Sequence, residues 1–584
     1  MQACIALSLL ASPAMAAAQD VDQDPAPLQP VGALVAVHGV VRNAATGEPL
    51  PRALVRIEGD AATGALTDGD GRFEISGLPA GPQIFEVLKP GFQDRPGAGL
   101  GIAVDDAAGS SHNVIVSADM GELAFSLAPT NAIRGLVSLS TGDPAEGIEV
   151  QLLRRTVQEG RGVWQITSGT KTLSDGSYRF AGLPDGQYAV FTSPALDSEG
   201  ATNLFAAGRG SDVVREGYAS QFYPDARELA GAAKIHVANG EEAQANINLT
   251  LEPFHAVTAT ATFPGAGADG PAGDRAGLNF SAVVLDGQGH ALPYAAPYDQ
   301  ATHTIQALLP DGTYSLQLTA TGRFLVRLMP GGALRNFAPS AWPYVGSVEF
   351  SVAGHAIANL RVPLSAPRAS SVRYTVIHAG SAASQSPQNG RGEVVVSASQ
   401  AGGWLSDGVS SSFAQGMNEG ALDVEYTPPG SYWMHARVAQ AGLCEASFTA
   451  GGANLAREPL VVGLSGATAP LELTARDDCA GLTLTLPPAV ANVTAGEEPF
   501  FTVYVVPDFG STTDVEPMTM RPTSGGSVTL EALTPGSYHV YTFAGPAALE
   551  YRNREALAAL PNPGQQINLS PGTTSTVTLE APGH

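Results

Sequence analysis

Eleven histidines, 55 carboxylates and three cysteines are the residues of this 584-residue chain best suited to chemistry. A metal centre would need ligands at short, face-sharing intervals, yet no H-x-H, H-E-x-x-H or H-x-x-E-H spacing occurs. Most histidines, among them His38, His303, His435 and His539, fall in alternating patterns and read as ordinary strand residues. A hydrolase-type nucleophile needs G-x-S-x-G at a strand-to-helix turn, and Gly463-Leu464-Ser465-Gly466 is one residue short of it. Nor is there a phosphate-binding glycine loop. The acidic turn Thr67-Asp68-Gly69-Asp70-Gly71 offers the hard oxygens that calcium takes, but the further ligands of a calcium loop are missing. A hairpin turn that needs Asp and Gly for local hydrogen bonds is the better reading. No catalytic residue, cofactor or metal site is expected, and the chain is read as a non-enzyme.

Two residue classes are left. Cys444 and Cys479 form an even pair, Cys4 lying in the leader described below; in an exported protein such a pair is expected to bridge, the alternative being two buried free thiols. Aromatic side chains in loops could stack on the apolar faces of sugar rings while polar neighbours read the hydroxyls. The candidates are Phe222, Tyr223, Trp342, Tyr344 and Trp404. Loop ends are where binding residues concentrate. The competing reading is that these rings plug gaps between neighbouring domains.

The elements that would position these residues are β-strands. Glycine and proline make up about 19% of the chain against about 12% in average proteins, while only 15% is charged and 44% is hydrophobic. A disordered chain needs the opposite balance, so the composition indicates a folded, turn-rich, β-rich protein. The net charge of −25 repels phosphate backbones, so nucleic acid is not an expected partner. Only three of the 30 basic residues are lysine, namely Lys89, Lys171 and Lys234. The apolar run at 1–10 and the A-x-A sites ending at Ala16 and Ala18 form the pattern of a signal peptide over 1–18, followed by a linker over 19–32. No later stretch is long and apolar enough for a membrane helix. Export to the periplasm, cell surface or medium follows.

One pattern recurs five times: an alternating strand, a Pro/Gly turn, and a second alternating strand. The turn glycines are Gly81, Gly186, Gly312, Gly430 and Gly536, and a tyrosine stands two places after four of them (Tyr188, Tyr314, Tyr432 and Tyr538). These tyrosines are expected in the core or at a corner. Each unit also ends in an apolar-alternating run, such as those around Phe125, Leu249, Val362, Leu473 and Leu579. The spacing predicts five β-sandwiches, over 33–130, 131–253, 254–366, 367–476 and 477–584. Helix is scarce; 551–560 and 226–233 could form short ones before or after prolines.

Residues 37–92 carry G-x-V at Gly39–Val41, T-G-x-P-L-x-x-A-x-V at Thr46–Val55, T-D-x-x-G-x-F at Thr67–Phe73 and G-L-P-x-G at Gly77–Gly81. In this order they resemble the carboxypeptidase regulatory-like domain, a transthyretin-like sandwich. The second unit repeats the match loosely, and the other three keep the turn and the last strand. The layout resembles the exported tandem β-sandwich proteins of acidobacteria. The resemblance implies an all-β array with transthyretin-like, Ig-like and carbohydrate-binding-like sandwiches, and accessory modules without catalytic residues of their own. The expected function is binding of polysaccharide, or adhesion, at the cell surface. The alternatives are a scaffold of the cell envelope contacting an envelope protein, and an accessory protein of a hydrolase system.

Overall fold

The computed structural model describes residues 34–94, 110–197, 214–263, 278–322, 325–328, 334–337, 344–366, 371–379, 393–405, 411–416, 419–424, 427–439, 442–467, 469–487, 501–521 and 526–580. The leader, the linker and Trp342 lie outside them. The described residues are nearly all β, and they form five sandwiches, each with its own apolar core. Among them no helix is long and apolar enough to cross a membrane.

Period-two alternation makes each strand half core and half surface. Leu34–Asn43, for example, buries Val35, Val37 and Val41 and turns Leu34, Ala36 and His38 outward. The apolar run that closes each unit has one topological role throughout: it lies parallel to that unit's opening strand. Leu123–Pro129 pairs in this way with Leu34–Asn43, Ile247–Leu249 with Asn131–Leu139 and Ile357–Pro363 with Leu251–Thr262. Leu471–Arg476 pairs with Ser371–Ile377, and Thr574–Thr578 with Ala480–Thr485. The expected boundary at 253/254 falls inside Leu251–Thr262, which also pairs antiparallel with Arg215–Tyr218. The second and third sandwiches thus share one sheet.

The recurring turn has a common mechanism. The buried tyrosine after each turn donates its hydroxyl to the carbonyl four residues earlier: Tyr188 to Pro184 at 2.7 Å, Tyr314 to Pro310 at 3.1 Å, Tyr432 to Pro428 at 2.8 Å and Tyr538 to Thr534 at 2.6 Å. Burial raises the Tyr188 phenol to about 12 and pushes those of Tyr314 and Tyr538 up as well. In three copies the ring leans back over the turn glycine, where a Cβ would come within 2.8 Å of it at Gly312, 3.3 Å at Gly430 and 3.7 Å at Gly186. The first unit has no tyrosine here; the Gln83 amide donates to the equivalent carbonyl, Pro79 O, at 3.3 Å. The acidic turn behaves as a hairpin turn. Asp68 Oδ1 accepts from the backbone N–H groups of Asp70 and Arg72 at 2.9 and 2.8 Å, and Thr67 bonds Leu50 O and Ala53 N. The second unit repeats this with Thr172 and Asp175.

The fourth and fifth sandwiches are joined covalently and by a buried carboxylate. A disulfide links Cys444 to Cys479, with Cα atoms 5.9 Å apart, where the chain leaves the fourth unit for the fifth. Beside it the buried Glu445 accepts from Thr512 N, Thr513 N, Thr513 Oγ1 and Ser511 Oγ of the fifth.

The second sandwich reaches both of them through one hairpin. Its arms, Glu149–Gln158 and Arg161–Lys171, are far longer than Leu54–Ile57 and Asp60–Leu66 of the first unit. The tip residues Glu159 and Gly160 both have positive φ, 49° and 73°, as a tight two-residue hairpin turn requires. Gly160 must be glycine, because a Cβ would sit 2.5 Å from the Tyr551 ring of the fifth sandwich. Its carbonyl accepts from Arg552 N at 2.9 Å. Glu159 Oε2 meets His435 Nε2 of the fourth sandwich at 2.6 Å, and His435 Nδ1 meets Asp514 Oδ1 of the fifth at 2.9 Å. Arg155 makes a bidentate pair with Glu550. The expected helix at 551–560 is accordingly short, Arg554–Ala558 capped by Asn553, because Tyr551 and Arg552 are held in these contacts. At 226–233 there is only the 3-10 turn Leu229–Gly231.

Two outcomes follow. Tyr314→Phe leaves the shape intact and removes one buried hydrogen bond, so it should lower stability by about 1 kcal/mol in urea unfolding; an unchanged midpoint would show that the corner hydroxyl contributes nothing. His435 is almost wholly buried, and burial alone would lower its pKa, but its bonds to Asp514 and Glu159 outweigh that and hold it above 6.5. The three-way contact is therefore complete below the ordinary histidine pKa and weakens as the pH rises through the raised value. Emission from Trp433, which neighbours the contact in sequence, should shift to the red as the pH rises above the ordinary histidine value of about 6.5. The shift should vanish in His435→Gln, and a flat wild-type profile would sink the assignment.

Candidate functional site

The outer face of the second sandwich carries an apolar surface that its own core does not use. Leu153, Ala189, Phe191 and Phe222 point away from that core and are covered by Trp404 from the fourth sandwich. Phe191, Phe222 and Trp404 form a three-ring cluster with centroids 4.7–5.3 Å apart. Phe222 is placed by the two-residue strand Gln221–Phe222, which pairs with the edge of Gly186–Thr192. Phe222 and Trp404, remote in sequence, are thus brought together. Tyr223 and Tyr344 are not part of this cluster, and Trp342 lies outside the described residues. Tyr223 packs against the core of the second sandwich, and Tyr344 against that of the third, edge-on to Phe263 at 5.2 Å.

Phe222 and Trp404 form part of the wall of a cavity of about 610 Å³ between the second, third and fourth sandwiches. The third sandwich contributes Tyr294 and Tyr314, whose rings meet edge-to-face at 6.2 Å. Burial raises the Tyr294 phenol to about 12, so it remains a neutral hydroxyl. Its lining also holds two paired sets of polar groups, Arg227 with Glu252 at 2.9 Å and Asp286 Oδ2 with His290 Nδ1 at 3.3 Å. The buried Ser220, which also lines the cavity, has a hydroxyl with no hydrogen-bond partner among the described residues. Leaving a buried hydroxyl unpaired is costly, and here the group lines a cavity that could hold its partner. An apolar, aromatic-walled hollow with a few convergent polar groups is the usual form of a small-molecule site.

Trp164 and Trp433 were missed because they lie inside strands and not in loops. In Gly430–Val438, Tyr432, Met434 and Ala436 face the core, so Trp433 and His435 must face outward. Large rings on an outward face were the available signal. Trp164 lies in the long arm Arg161–Lys171, where Lys234 Nζ stands 4.9 Å over its ring. His435, read as an ordinary strand residue, is the centre of the charged cluster at the hairpin tip.

That cluster also has the outline of a nucleophilic relay, since Ser399 Oγ lies 3.0 Å from His435 Nε2 and Asp514 holds Nδ1. Glu159 defeats the chemistry. Its carboxylate accepts from the Ser399 hydroxyl at 2.7 Å and occupies the Nε2 side, so the imidazole donates from both nitrogens and has no lone pair to act as a base. The motif Gly463–Gly466 is a hairpin turn, with Gly463 paired to Gly466.

No curated protein matches the sequence. Among solved structures, the Bacillus anthracis TIE protein aligns at 13% identity over 57% of this chain and 51% of its own, with a TM-score of 0.16. This chain thus spans about half of that protein's aligned structure. A streptococcal ancillary pilin aligns at 11% identity over 57% and 100%, with a TM-score of 0.18. Two B repeat units of the collagen-binding protein of Staphylococcus aureus align at 10% identity over 72% and 94%, with a TM-score of 0.13. The family model of the carboxypeptidase regulatory-like domain matches residues 36–117, and the first sandwich is therefore a domain of that family.

Proposed function

We propose that the chain is an exported, non-catalytic array of β-sandwiches that binds carbohydrate in the cavity between its second, third and fourth units. The observation that carries this reading is the unpartnered Ser220 hydroxyl in an aromatic-walled hollow with the Arg227–Glu252 and Asp286–His290 pairs in its lining. A sugar ring presents apolar C–H faces to rings and hydroxyls to paired donors and acceptors, which is what these walls can take. The size, about 610 Å³, lies within the range of small-ligand pockets. Adhesion at the cell surface follows if the sugar belongs to a surface polysaccharide. The leader pattern at 1–18 supports export.

A glycan array followed by calorimetry on the hits tests this. Ser220→Ala removes an unsatisfied buried group, so folding stability should stay level or rise while affinity for the retained glycan falls about 3–10-fold. His290→Ala, on the half-exposed rim, should act in the same direction. Absence of any retained glycan, together with co-purification of an envelope protein, would favour the scaffold reading instead.

A further inference from the structure

A second cavity, about 540 Å³, lies on the other side of Trp164 and Trp404, between the second, fourth and fifth sandwiches. Three of the chain's four tryptophans, Trp164, Trp404 and Trp433, line it. So do Arg155, Arg161, Arg552 and Arg554, in a protein with only 30 basic residues and a net charge of −25. The states of the first three can be read from their contacts. Arg155 is neutralised by Glu550. Arg552 has only 7% of its side chain exposed and spends its terminal nitrogens on the carbonyls of Ser511, Thr512 and Thr513 and on Asp514. Arg161 lies over the Trp433 ring at 3.4 Å and gives one terminal nitrogen to Ala456 O. The buried Arg161 Nε–H has no partner among the described residues.

The charges around the hairpin tip do not balance. Arg161, Arg552 and the protonated His435 face the carboxylates Glu159 and Asp514, which leaves one positive charge in excess. Burial and then the charge of Arg552 lower Arg161 to about 10, as expected of a cation short of a counterion. One surplus positive charge in a cavity lined by arginines matches a monoanion. The tryptophan walls match a ring attached to it.

We propose that this cavity binds a sugar carboxylate, a uronic acid residue whose carboxylate is held by the surplus positive charge of the arginines that line it while its ring packs against the tryptophans. The site is separate from the Ser220 cavity, so either can fail without the other. Three sandwiches contribute to it, and an occupant would bridge the hairpin of the second unit to the fourth and fifth.

The test is titration of the full mature chain with galacturonate and glucuronate, read by calorimetry and by tryptophan emission, with galactose, glucose and inorganic phosphate as comparisons. The expected result is saturable binding of a uronate with a change in emission, no binding of the neutral sugars, and weaker binding of phosphate. Arg161→Gln should weaken the uronate at least about tenfold, and Ser220→Ala should leave it unchanged. Because Arg161 also braces the junction, Arg554→Gln at the exposed mouth gives a second variant that should retain the fold and lower affinity modestly. Silence toward both uronates, equal binding of the neutral sugars, phosphate binding as tight as the uronates, or full affinity in Arg161→Gln would each overturn the proposal.

Discussion

The carboxylate of Glu159 sits at a place where an ionised group is expensive: under the tip of a hairpin, against a histidine that is itself only 3% exposed. Removing such charges from water costs about as much as their pairing returns, so the cluster contributes little net stability. What it contributes is selection. Glu159, His435 and Asp514 come from three sandwiches, and only one approach of those units satisfies all three. The positive φ at Glu159 belongs to the same constraint, because a non-glycine residue keeps that conformation only where its surroundings hold it. Both cavities lie beside this contact, and the rings that line both, Trp164 and Trp404, come from the hairpin and from the fourth unit that it reaches.

Repetition explains how such a chain can be assembled at all. Each sandwich is closed by local devices: a first strand parallel to the last, a turn braced by a tyrosine or glutamine, and a core of its own. Each unit therefore carries its own closure, and their individuality lies in what each adds to the common plan. The second adds length to one hairpin, the third a sheet shared with its neighbour, and the fifth a loop that fills the Glu445 carboxylate. Every added part is used at a junction. The Cys444–Cys479 bridge sits where the fourth unit hands the chain to the fifth and restricts how far these two can separate.

How much could be read in advance follows the same division. The five-fold turn, the corner tyrosines and the closing strands were legible because their physics is local: proline and glycine fix a turn, and alternation names the buried face. Even where the T-D-x-x-G signature disappears in the third unit, the turn persists with His303 in the left-handed conformation at φ 55°. The sequence marked Phe222 and Trp404 as loop aromatics, but nothing in it could show that they meet, since that depends on which outer faces the junction brings together. Trp433 and His435 were hidden for a related reason. Alternation assigns them to the outward face and is silent on what covers it.

Electrostatics links the composition to the sites. A surface of net charge −25 repels a long polyanion at short range, although salt reduces this beyond about 8 Å at physiological ionic strength. The single surplus positive charge at the hairpin tip lies inside, where screening is weak and a low dielectric strengthens each contact. The two effects act on different parts of a ligand. The exterior disfavours many negative charges, while the interior rewards one, placed at the end of a ring that can enter between the tryptophans. An acidic residue at the end of a saccharide satisfies both conditions, whereas a polymer charged along its whole length satisfies only the second.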